Sequence, residues 1–141
     1  MIMFDSNVVT IFIRADHEMY RTMWDRLARE PARAATSTVV HAEQLFGFRK
    51  NPKATAELRQ VYGLFLEVAP LVAWDERAAE IYAELREATR HRPISLHDCQ
   101  ILAHAVALDA VLLTEDLRLI ESLPKNTRFS DHARHASAWA S

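Results

Sequence analysis

Met1-Ile2-Met3-Phe4-Asp5-Ser6-Asn7 is the stretch that decides the fold. Four apolar residues without alternation read as a strand buried on both faces, and Asp5 ends it where the chain leaves the sheet. Asn7 after a buried strand predicts a turn into a short helix, although Val8, Val9, Ile11, Phe12 and Ile13 have strand propensity. The same pattern returns late in the chain, where Ala110-Val111-Leu112-Leu113 runs into Thr114-Glu115-Asp116.

Helical spacing fills most of the sequence between these two runs. Tyr20, Met23, Trp24 and Leu27 recur at that spacing, and Ala34 to Thr36 suit a short second strand. Ser37 or Thr38 can cap a helix carrying Val39, Val40, Ala42, Leu45 and Phe46; Asn51-Pro52 ends it and starts the next, over 54–66 with Leu58, Val61, Tyr62 and Phe65. Residues 70–74 read as a third strand, Asp75 caps a long helix to about Thr89, and Ser95 caps another from Leu96 to Leu108. Leu117 and Ile120 suggest one more helical turn, residues 127–129 an edge strand and residues 130–141 a polar tail. The alternation predicts an α/β fold: one domain over residues 1–141, with a central parallel sheet of four or five strands and helices on both faces. In such sheets the ligand site lies beyond the strands' C-terminal edges.

Composition excludes several functions. A single cysteine, Cys99, rules out an internal disulfide or a multi-cysteine zinc site. With Gly47 and Gly63 as the only glycines, neither a Walker loop nor a dinucleotide fingerprint can be written on the chain. A net charge of −2 argues against a dedicated duplex-binding domain. No run reaches membrane-spanning length and no signal peptide is evident, so a soluble cytoplasmic protein is expected.

The acids carry the chemistry. Asp5 and Asp116 each follow a buried strand, where capping the next helix is the common role for either one alone. Glu43 lies between Val39 and Gly47, near the middle of its helix's apolar arc with His41 and Gln44 on the polar side; a partly exposed acid at the stripe's end, or one paired to Arg49 or Lys50, is the plain alternative. Asp98 stands three residues after Ser95, where an acid supports a helix N-terminus, yet it shares a face with Ile101, Leu102 and Ala105. Hard divalent ions such as Mg²⁺ or Mn²⁺ prefer carboxylate and water oxygens. The histidines form no metal-binding pair; His41, His91, His97 and His104 read as solvated or hydrogen-bonded, and Cys99 as a small core residue.

Four segments together resemble a known family: Phe4-Asp5-Ser6-Asn7-Val8, the helix from Ser37 through Glu43 to Gly47, the helix from Pro93 through Asp98 to Ala105, and Leu112-Leu113-Thr114-Glu115-Asp116. In order and spacing they resemble the PIN-domain nucleases, and within them the small VapC-like toxins of prokaryotic toxin–antitoxin pairs. Ser95 stands where relatives often have glycine, and the Glu115 position varies between acid and amide.

The resemblance implies an endoribonuclease that uses Mg²⁺ or Mn²⁺ to hydrolyse RNA, leaving 5′-phosphate and 3′-hydroxyl ends. It makes Asp5, Glu43, Asp98 and Asp116 the catalytic and metal-binding acids, with Asn7, Thr114 and Glu115 in support. Arg14, Arg49, Lys50 and Arg92 flank these motifs as candidate phosphate contacts. The implied partners are the RNA substrate, a small cognate antitoxin and a second copy of the chain in a homodimer. Two other functions compete: a non-catalytic interaction module, and a phosphatase of the haloacid-dehalogenase kind, which would want Asp-x-Asp where this chain has Asp5-Ser6-Asn7.

Overall fold

A computed structural model describes residues 1–51, 53 and 56–141. Its elements run β1 (Ile2–Phe4), α1 (Ser6–Ile13), α2 (Tyr20–Ala28), β2 (Ala34–Ser37), α3 (Thr38–Lys50), α4 (Ala56–Val68), β3 (Leu71–Val72), α5 (Glu76–Thr89), α6 (Leu96–Ala107), β4 (Val111–Thr114), α7 (Leu117–Ser122), α8 (Arg128–Asp131), β5 (Ala133–His135) and α9 (Ala136–Ala140). The strands form one parallel sheet in the order β3-β2-β1-β4-β5. Pro52 and the expected start of the next helix at Ala54 lie outside the described residues.

That order fixes the position of the first acid. The chain steps from β1 outward through β2 to β3, then returns to place β4 on the other side of β1, with Ile2 level with both Ala34 and Val111. The reversal opens a crevice at the C-terminal ends of β1 and β4, where the connections leave in opposite directions. Asp5 follows β1 at that point, and Thr114 closes β4 beside it.

Both faces of the central strands are covered. Ile2, Met3 and Phe4 are all buried although successive side chains point to opposite faces, which is why the run lacks alternation. On one face Phe4 meets Phe12, Phe65 and Trp139 edge-on, with ring centroids 5.0, 5.6 and 5.6 Å away. Elsewhere α6 lies against β4 and packs on α5. The segment of Val8 to Ile13 is helical despite its strand propensity, because Asp5 accepts the Ser6 amide and turns the chain at once.

The C-terminal stretch departs from expectation. Residues 127–129 are not a strand: Thr127 and Ser130 cap each other's amides and start α8. The edge strand is Ala133–His135, paired with β4, and residues 130–141 are no polar tail. Trp139 is buried, donates from its indole nitrogen to Glu30 at 2.8 Å and receives the Arg26 guanidinium on its face. One aromatic among short polar residues was too sparse to show a period. Among the described residues no helix is long and apolar enough to cross a membrane.

Candidate active site

Asp5 is 5% exposed and works in two directions. One oxygen caps α1 through the Ser6 amide at 2.8 Å; the other accepts the Thr114 hydroxyl at 2.7 Å. The Thr114 oxygen in turn accepts the Asp116 amide at 3.0 Å, so a hydrogen-bonded chain ties the turn after β4 to the acid after β1. Asn7 makes a second tie, its side-chain oxygen accepting the Glu115 amide at 3.3 Å. Glu115 itself is exposed.

Burial pushes the Asp5 carboxyl above its ordinary pKa; the bonds from Thr114 and Ser6 oppose this, and the charges of Asp98 and Glu43 add to it. Glu43 and Asp98 thus lie near enough to act on the Asp5 charge, although the three acids come from the end of β1, from α3 and from α6. Among the described residues no Lys or Arg forms an ion pair with Asp5, Glu43, Asp98 or Asp116. The half-buried Asp98 donates its amide to Ser95, while its carboxylate accepts no hydrogen bond among the described residues.

Glu43 is placed differently from the sequence expectation. The buried row of α3 is Val40, Gln44 and Phe48, while Leu45 and Phe46 are exposed, Phe46 at 64%. Glu43 shares the neighbouring half-buried row with Val39 and Gly47. The apolar arc therefore does not coincide with the core face, because Gln44 turns inward to donate to the Ser6 carbonyl at 3.3 Å and so joins α3 to α1. The Glu43 carboxylate contacts His97 Nε2, not Arg49 or Lys50.

His97 and Gln44 are the neighbours that the sequence reading missed. The spacing of Val40, Gln44 and Phe48 could have flagged Gln44; nothing in the sequence announces that α3 and α6 meet at His97. His104, by contrast, is fully buried and bonded to Ser37 Oγ at 2.8 Å. Burial holds its pKa below the ordinary value, with Asp75 and the Ala73 backbone pulling weakly the other way. Cys99 is a buried core residue.

The donor set fits a hard divalent ion. It is made of carboxylate oxygens, one of them on the buried Asp5, with no Lys or Arg paired to them among the described residues. Among the described residues no three such side chains stand ready-gathered around one point. Two acids are engaged elsewhere: Glu43 with His97, and Asp116 Oδ1 with the Arg118 and Leu119 amides that begin α7.

Comparison with known proteins agrees with this fold. The ribonuclease VapC2 of Rickettsia felis is 24% identical over 124 residues, covering 86% of this chain and 91% of the relative. Among solved structures, VapBC2 from Rickettsia felis bound to a DNA fragment from its promoter has a similar chain: TM-score 0.77, 23% identity, and coverage of 96% of this chain and 98% of that one. VapBC-1 from nontypeable Haemophilus influenzae gives TM-score 0.76 at 21% identity over 97% and 99% of the two chains. The PIN domain profile matches residues 2–125, a span that contains Asp5, Glu43, Asp98 and Asp116 together with the strands that carry the crevice. This chain belongs to the PIN domain family.

Proposed function

We propose that this protein is a metal-dependent endoribonuclease and the toxin of a toxin–antitoxin pair. The observation that carries the reading is Asp5: a buried carboxyl, raised by its burial and by Asp98 and Glu43, with no Lys or Arg paired to any of them among the described residues. Such an arrangement destabilises a fold unless a cation occupies it. Family membership and the similarity to a ribonuclease make RNA the substrate.

Asp5, Glu43 and Asp98 would hold the main ion, and Asp116 a second ion or an attacking water. A bound Mg²⁺ or Mn²⁺ supplies a water of lowered pKa and a Lewis acid for the phosphodiester. Thr114 fixes the second oxygen of Asp5, and Asn7 holds the Glu115 turn so that Asp116 stays beside it. Arg14, Arg49, Lys50 and Arg92 supply charge for RNA phosphates. A homodimer and a small antitoxin whose C-terminal segment covers the acids complete the assembly.

The test is cleavage of a mixed-sequence single-stranded RNA with MgCl₂ or MnCl₂. Products should end in 5′-phosphate and 3′-hydroxyl, EDTA should stop the reaction, and Asp5→Asn should be inactive. Undiminished cleavage in EDTA or by Asp5→Asn would refute the reading. In cells, expression alone should arrest growth, and co-expression of the adjacent small gene should relieve it.

A further inference from the structure

A groove of about 310 Å³ is lined by Glu43 and, along the same helix, by Gly47 and Phe48, with Ser6 and Asn7 next to Asp5 in sequence. Arg14, Lys50 and Asn7 also line it. The Arg14 guanidinium is unpaired among the described residues. Asn7 uses its side-chain oxygen for Glu115 and leaves its NH₂ group without an acceptor among the described residues.

Gly47 lines this groove; Gly63 in α4 is equally free of close neighbours but lies outside it. Gly47 lies inside α3, where glycine costs about 1 kcal/mol relative to alanine. No positive φ demands it, and a Cβ added there would meet nothing within 4 Å. The fold therefore supplies no reason for the missing side chain; what the glycine preserves is open space next to Glu43.

We propose that the space over Gly47 is a subsite for a nucleobase of single-stranded RNA, one flanking the bond to be cut. The inference rests on the nuclease reading and names the substrate feature that reading leaves open. A base lying over the bare backbone of α3 would be held by its face, which requires that it be unstacked and unpaired; Phe48 lines the groove but is buried, with the Arg59 guanidinium over its ring. Arg14 and Lys50 would then meet the adjoining phosphates, and the Asn7 amide the base edge or a sugar hydroxyl. Two cations in the lining, against the single carboxylate of Glu43, favour a polyanion over a basic protein segment as the occupant.

Because a Cβ at Gly47 meets nothing within 4 Å, the space can be narrowed from this position, and melting temperatures check that the fold tolerates the larger side chain. Wild type, Gly47→Ala, Gly47→Leu and Asp98→Asn would be given a pool of short random-sequence single-stranded RNAs with MnCl₂, and the cut sites sequenced. Gly47→Leu should cut about tenfold more slowly or worse, the loss expected for one stacked base. It should also lose the wild-type base preference at one position beside the cut, with Gly47→Ala intermediate. Its melting temperature should equal or exceed that of wild type, since glycine is the poorer helix former, and its Mn²⁺-induced rise should match wild type, showing fold and metal centre intact. Wild-type rate and preference in Gly47→Leu would overturn the subsite and leave the groove to a protein segment, while the nuclease reading stood. Absence of RNA cleavage by wild type itself would instead remove the nuclease reading and the subsite with it.

Discussion

The Thr114 hydroxyl donates to Asp5 Oδ2 at 2.7 Å, joining residues 109 apart in sequence at the C-terminal edge of adjacent parallel strands. The bond fixes the rotamer of a buried acid and fastens the turn that carries Asp116. Thr114→Val keeps the shape and removes the donor. A hydrogen bond to a charged group contributes about 1.5–3 kcal/mol, so metal-dependent cleavage should fall roughly ten- to hundredfold. Thr114→Ser should recover most of the rate, as single-turnover assays would show; equal loss in both variants would mean that the methyl group matters and the hydroxyl does not.

Asp98 tests the electrostatics of the metal-free site. Its carboxylate accepts no hydrogen bond among the described residues and its charge raises the Asp5 pKa, so Asp98→Asn removes repulsion without removing a contact. In EDTA the variant should melt at or above the wild-type temperature. On adding Mn²⁺ the wild type should gain stability and the variant little, since stabilisation follows ion affinity for the native state. A large destabilisation in EDTA would make Asp98 a structural residue.

His104 gives the fold a pH dependence away from the acids. Its folded pKa lies below the ordinary 6.5, so the unfolded chain binds more protons around that value and stability rises with pH. The stabilisation is complete above 6.5 and lost as pH falls through the folded value. Urea midpoints of wild type should fall more steeply below that pH than those of His104→Gln, which has no group to titrate there. Parallel profiles would show that His104 titrates normally.

Trp139 anchors the C-terminal segment through Phe4, Arg26 and Glu30. Trp139→Ala should destabilise the protein by about 3–5 kcal/mol, the usual range for removing a large buried aromatic. Urea unfolding measures it, and a change within error would restore the view of residues 130–141 as a dispensable tail.

Elements governed by local chemistry were legible in the sequence. Apolar runs gave β1 and β4, Asp75 and Ser95 marked the starts of α5 and α6, and the alternation pointed to a parallel sheet. Features that depend on tertiary contact were not. Gln44 turns inward because α1 offers the Ser6 carbonyl, and Glu43 meets His97 because α3 crosses α6; neither neighbour can be read from a helical wheel. β5 is three residues long and owes its pairing to β4, which leaves no period to detect.

Cleavage rate against Mn²⁺ concentration, measured on one single-stranded RNA for wild type and Asp98→Asn, tests the central claim most directly. Three carboxylates acting as one metal centre predict a saturable Mn²⁺ dependence for wild type and, for the variant, a rate lower by orders of magnitude or a far higher Mn²⁺ requirement. Superimposable curves for the two proteins would contradict it.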